Sequence, residues 1–133
     1  MAVEQRTPAW RRQLKAGERK ARAMLRAGQL GLETFGLPPA YLAEEGLAFA
    51  KYGVQQRWVA ACLPTRDQRA HALGFNGVMH PLILRKHGED FFVRVRIEAV
   101  ENFRAQNPGK FDGEDLEALR RSLKPGRAGQ GKS

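Results

Sequence analysis

"PLILRKHGEDFFVRVRIEAV", residues 81–100, is the stretch whose reading decides the fold. From Phe91 to Glu98 the side chains alternate in character. Phe91, Val93, Val95 and Ile97 take one side of an extended chain, and Phe92, Arg94, Arg96 and Glu98 take the other. Successive side chains on a strand point to opposite faces, so this period of two predicts a half-buried β-strand. "HGED" supplies a charged turn before it, and Met79–Lys86 supplies a first arm, which Pro81 limits to an edge position or a late start. The expectation is a β-hairpin over about 79–98, with Lys86 and His87 at its tip.

Working back from the hairpin, the spacing predicts three helices. Pro39 opens the first, residues 39–52, which ends near Gly53. Residues 54–63 form the second, stopped by Pro64. Thr65, with Gln68 three residues on, has the form of a capping box for the third, residues 66–73, which ends at Gly74 before the turn signal "FNG". Helix, helix, short helix, hairpin is the order of a winged helix-turn-helix. On that arrangement the short helix presents Arg66, Gln68, Arg69 and His71, and arginine and glutamine are suited to base edges. Beyond the hairpin, "EAVENFRAQ" is a short helix broken by "NPGKF". Asp112 caps a last helix over about 113–123, docked by Leu116, Leu119 and Leu123.

The front of the chain has a different character. Thr7-Pro8 pairs an N-cap residue with the preferred first helical residue, and the helix should run to about Ala27 and stop at Gly28. At roughly 100° per residue, Trp10, Leu14, Ala21, Met24 and Leu25 gather on one face. Arg11, Arg12, Lys15, Arg19, Arg22 and Arg26 gather on the opposite one. A glycine-rich linker, residues 28–39, follows. The organisation expected is a basic N-terminal helix within residues 1–30, a single α+β domain over 31–124, mainly helical and winged-helix-like, and a disordered tail over 125–133.

Charge indicates the class of partner. Twenty-three lysines and arginines oppose 14 acidic residues, a net of +9. Residues 1–27 hold eight basic and two acidic side chains, residues 28–84 four of each, and residues 85–133 eleven and eight. An excess gathered on one helical face favours a polyanion. The helix is poorly suited to a membrane surface, because its apolar face is narrow and mostly Ala and Met. The N-terminal twenty residues are too polar and basic for a signal peptide, and no apolar run reaches spanning length, so the chain reads as soluble and cytoplasmic. Phe92 beside Arg94 and Arg96 offers a second basic surface, suited to stacking on unpaired bases.

Motifs for chemistry are weak. Cys62, His71, His80 and His87 stand 9, 9 and 7 residues apart, which matches no zinc pattern. Asp90 and Glu98 lack the lysine that a metal-dependent nuclease strand would carry two residues after the glutamate, where Val100 stands. "GRAGQGKS" ends like a phosphate loop but lies at the extreme C-terminus with no strand before it. No metal or other cofactor is expected. The expected function is therefore nucleic-acid binding without catalysis, as a regulator or accessory factor, with duplex DNA favoured and RNA second. The backbone would be held by Arg11, Arg12, Lys15, Arg19, Arg22 and Arg26, and a groove entered by Arg66, Gln68 and Arg69 and flanked by Lys86, Arg94 and Arg96. A protein-interaction module is the other reading, an inhibitor or adaptor that docks on an acidic surface through Trp10, Phe35 and Tyr41.

Overall fold

Thr7 caps a helix that begins at Pro8, as the sequence predicts: its hydroxyl accepts the Trp10 N–H at 3.2 Å. The computed structural model describes residues 7–60 and 63–123. In it five helices and two strands follow one another: α1 (Pro8–Arg26), β1 (Leu30–Phe35), α2 (Leu42–Lys51), β2 (Val54–Ala60), α3 (Arg66–His87), α4 (Phe91–Gln106) and α5 (Leu116–Arg121). The protein is thus α+β and mostly helical. Cys62 and the tail expected over 125–133 lie outside the described residues.

The hairpin expected over 79–98 is not formed. Its first arm is the second half of α3 and its second arm opens α4. The alternation at 91–97 is local, whereas five of α4's buried positions, Phe91, Val95, Ala99, Val100 and Phe103, fall within about half of a helix circumference, with the buried Ile97 outside it. That is helical spacing, and over sixteen residues it outweighs four alternating ones. In α3 the buried Ala72, Phe75, Met79 and Ile83 trace the same period through Asn76-Gly77 and Pro81, the signals that argued for a turn. Local propensity gives way when one face of a helix has a core to join.

The segment 54–63, expected as a helix, holds β2, and the linker 28–39 holds β1. The two strands pair in parallel, Leu30 opposite Val54 through Thr34 opposite Trp58, with an irregularity before Phe35 meets Ala60. A parallel pair requires a long crossover, which α2 supplies. Gly53, at φ +78°, ends α2 and turns the chain into β2, a left-handed conformation natural to glycine. The helix expected over 39–52 forms as α2, but without the hairpin and without a helix at 54–63 the winged helix-turn-helix lacks its wing and the first helix of its pair.

The chain divides into two compact units, Met1–Pro38 with Gly53–Leu82, and Pro39–Tyr52 with Ile83–Ser133. In the first, α1 crosses α3 so closely that the backbones touch. A Cβ on Gly17 would lie 2.0 Å from the His71 carbonyl oxygen, and one on Gly74 would lie 2.0 Å from that of Leu14. Ala21 and Ala70, both fully buried, continue this small-residue crossing on either helix. In the second unit Tyr41, Ala99, Val100 and Phe103 form a core against which Leu116 packs. Asp115, not Asp112, caps α5, accepting the Ala118 N–H at 3.1 Å. Asp112 instead takes Arg104 in a two-pronged ion pair at 2.7 and 3.1 Å, which holds its carboxyl below the usual range.

Candidate functional site

The first unit carries most of the charge, with eleven basic against four acidic side chains within its residues; the second carries twelve against ten. On α1, Arg11, Arg12, Lys15, Arg19, Arg22 and Arg26 are all exposed, opposite the buried Trp10, Gly17 and Ala21. They fall within an arc of roughly 100° and span about 22 Å of helix. Among the described residues, no carboxylate pairs with Arg12, Lys15, Arg19, Arg22 or Arg26. Such a ridge keeps its field directed outward, which is what a phosphate backbone would meet.

The bases of the second unit are differently placed. Lys51 pairs with Glu98 at 2.7 Å, Arg104 with Asp112 at 2.7 Å and Arg120 with Glu101 at 2.5 Å. Arg94 donates to Asp90 at 2.9 Å and to the His87 carbonyl, and lies over the Phe91 ring. Arg96 is 4.0 Å from Glu45. Because α4 is a helix, Arg94 points roughly 200° away from Phe92, and only Arg96, four residues on, keeps to the side of Phe92. Phe92 is half-buried against Phe49 and Phe91, with ring centroids 6.1 and 5.6 Å apart. The second basic surface expected from the sequence is therefore dispersed. Lys86 is exposed in the last turn of α3.

Of the groove-entering set, Arg66 and Arg69 are exposed at the start of α3, and Arg69 donates to the Pro64 carbonyl at 3.3 Å. Gln68 is occupied. It closes the capping box, donating its N–H to Thr65 Oγ1 at 3.0 Å and accepting the Thr65 N–H at 2.9 Å, and its amide also donates to the Val59 carbonyl at 3.2 Å. His71 turns inward. Its Nδ1 sits 2.7 Å from Glu33 Oε1.

Glu33 is absent from the residues that the sequence singles out, because residues 28–39 read as a linker. Its carboxylate is 2% exposed, and one base from each neighbouring element faces it. These are Lys20 of α1 at 3.6 Å, Arg57 of β2 at 3.8 Å and His71 of α3. A buried carboxylate needs such compensation to remain charged. Its backbone is held as well: the Asn76 amide donates to the Glu33 carbonyl at 2.7 Å and accepts the Glu33 N–H at 2.9 Å. The visible signal was a lone acid inside the apolar run "LGLETF". Chemically the centre fastens α1, β1, β2 and α3 together, with the charges of Lys20 and Arg57 drawn toward it and away from the outward ridge.

A concavity of about 600 Å³ opens beside α3, walled by Trp10, Phe35, Leu73 and Pro81 and edged by Arg69 and His80. Burial lowers the His80 pKa, so its ring is neutral near pH 7. Of the three aromatic anchors proposed for a protein partner, Trp10 and Tyr41 are buried and Phe35 is 41% exposed. No helix among the described residues is long and apolar enough to cross a membrane. No protein-family model, curated protein or solved structure matches the chain.

Proposed function

We propose that the protein binds nucleic acid, as a regulator or accessory factor without catalysis, through the cationic ridge of α1. One observation carries this reading. Arg12, Lys15, Arg19, Arg22 and Arg26 of the ridge have no carboxylate partners among the described residues, while Lys51, Arg94, Arg96, Arg104 and Arg120 of the second unit each face an acid. Unneutralised arginines along a rigid helix suit evenly spaced phosphates, and each contact releases counterions. Arg66 and Arg69 add to this surface by charge. The reading uses no wing and no recognition helix, so it carries no preference for duplex DNA. Binding measured against duplex DNA, single-stranded DNA and RNA across a salt series tests it. Affinity at low salt that weakens steeply as salt rises is the expected result. Negligible affinity at low salt, or affinity indifferent to salt, would overturn it.

The exposed Phe35 and Leu73, which line a cavity with Arg69, favour one competing use, docking on an acidic protein. A stoichiometric protein partner retained after nuclease treatment, with no binding to bare nucleic acid, would establish that use instead.

A further inference from the structure

Building on the nucleic-acid reading, we infer that the concavity beside α3 receives an unpaired nucleobase, making single-stranded nucleic acid the preferred partner. The cavity volume, about 600 Å³, lies within the roughly 300–1,000 Å³ of small-molecule sites. Its walls are mainly apolar, with Trp10, Phe35, Leu73 and Pro81 among the lining residues. Phe35 and Leu73 are 41% and 54% exposed, so their surfaces are open to an incoming base. Aromatic surfaces accept any base, because each base has a π-face. The polar rim is cationic and neutral, never anionic. Arg69 is its charged member, and no carboxylate lines the cavity. That charge suits the phosphate attached to a seated base and repels a cationic ligand. His80, whose pKa is lowered by burial, adds no second charge to the rim near pH 7. Trp10, largely buried, lines the cavity from the helix that bears the ridge, on the face opposite the ridge bases. Bases within a duplex are stacked and paired, and their faces reach such a cavity only after extrusion, whereas a single strand offers them freely.

The experiment compares a short labelled oligodeoxythymidylate with a strand of equal length in which abasic sites replace every base. Both carry the same phosphates. The intact strand should bind the full-length protein on the order of tenfold more tightly. Both affinities should fall alike with salt, and a duplex should bind no better than the abasic strand. Phe35→Ala and Leu73→Ala, which trim exposed side chains, should each reduce the preference and leave abasic-strand affinity unchanged. Equal, salt-sensitive binding of the two strands overturns the base pocket and leaves the phosphate-binding reading standing. No binding of either strand at low salt overturns both. A preference that survives both substitutions places the base elsewhere and also overturns the inference. So does a wild-type dimer in sedimentation that becomes monomeric on Leu73→Ala with the preference intact, since the patch is then a self-contact.

Discussion

Asn76 stands in an Asn-Gly pair, the strongest short turn signal in its neighbourhood, yet it is helical and its amide is used at long range. It presents one donor and one acceptor to the backbone of Glu33, as a neighbouring strand would. Asn76→Ala should cost about 1–3 kcal/mol in urea unfolding, since it leaves two polar groups of β1 unsatisfied. An unchanged midpoint would show that water replaces the amide without loss. His87 supports a second prediction at this scale. Its ring stacks on Phe91 with centroids 4.4 Å apart, and its Nε2 is buried without a hydrogen-bond partner among the described residues. Burial, and then the charge of Lys86, lower its pKa. The unfolded chain therefore takes up a proton that the folded chain resists. Stability should be full above about pH 6.5 and decline as pH falls below it. His80 shifts in the same direction by burial. His87→Phe keeps a stacked ring and removes the titration, so its melting temperature should fall less between pH 7.5 and 5.5 than the wild type's. Parallel curves for the two proteins would exclude His87 as a source of the decline.

At the scale of elements, the α1–α3 crossing is the least forgiving part of the molecule. The atoms that a Cβ on Gly17 would strike are backbone, the His71 carbonyl oxygen at 2.0 Å and the Phe75 nitrogen at 2.8 Å, so no side chain can move aside. Gly17→Ala must separate the helices and should lower stability by roughly 1–3 kcal/mol or more. Gly77, on the exposed side of α3, meets nothing within 4 Å. Gly77→Ala should raise stability by about 0.5–1 kcal/mol through backbone entropy alone. Similar effects of the two substitutions in chemical denaturation would argue against the tight crossing. The sequence held this signal, since Gly17 and Ala21 stand four apart, as do Ala70 and Gly74. It was outshone by the larger apolar residues on the same face. Elsewhere, α1 and α2 were legible from caps and helical spacing. The strands were not: β1 and β2 are six and seven residues long. Arg57 beside Trp58, or Glu33 within an apolar run, has no meaning until the partner strand is in place.

For the whole molecule, the two units differ in how they treat their charges. If all five bases of the ridge that lack acidic partners contact phosphate, the logarithm of affinity should fall with the logarithm of salt at a slope of about −3.5 on a single strand. Replacing Arg12, Arg19 and Arg22 together with glutamine should flatten that slope by about 2. Replacing Lys51, Arg104 and Arg120 with glutamine should leave it unchanged, since those bases already have carboxylate partners. Equal flattening by both triple variants would mean that net charge alone, and not its placement, drives association.

By itself the sequence determined the front helix, its cap, its cationic face and the charge excess of the chain, because these depend on neighbours one to four residues away. It also determined the capping box at Thr65 and the break after Gln106, for the same reason. Only the tertiary structure decided that residues 81–100 are helical, that a parallel pair of strands exists, and which arginines face outward unpaired. Those outcomes rest on burial and on partners distant in sequence. Phe91, Val95 and Val100 become a helical stripe once a core covers them, and Glu33 becomes a centre once Lys20, Arg57 and His71 are brought around it.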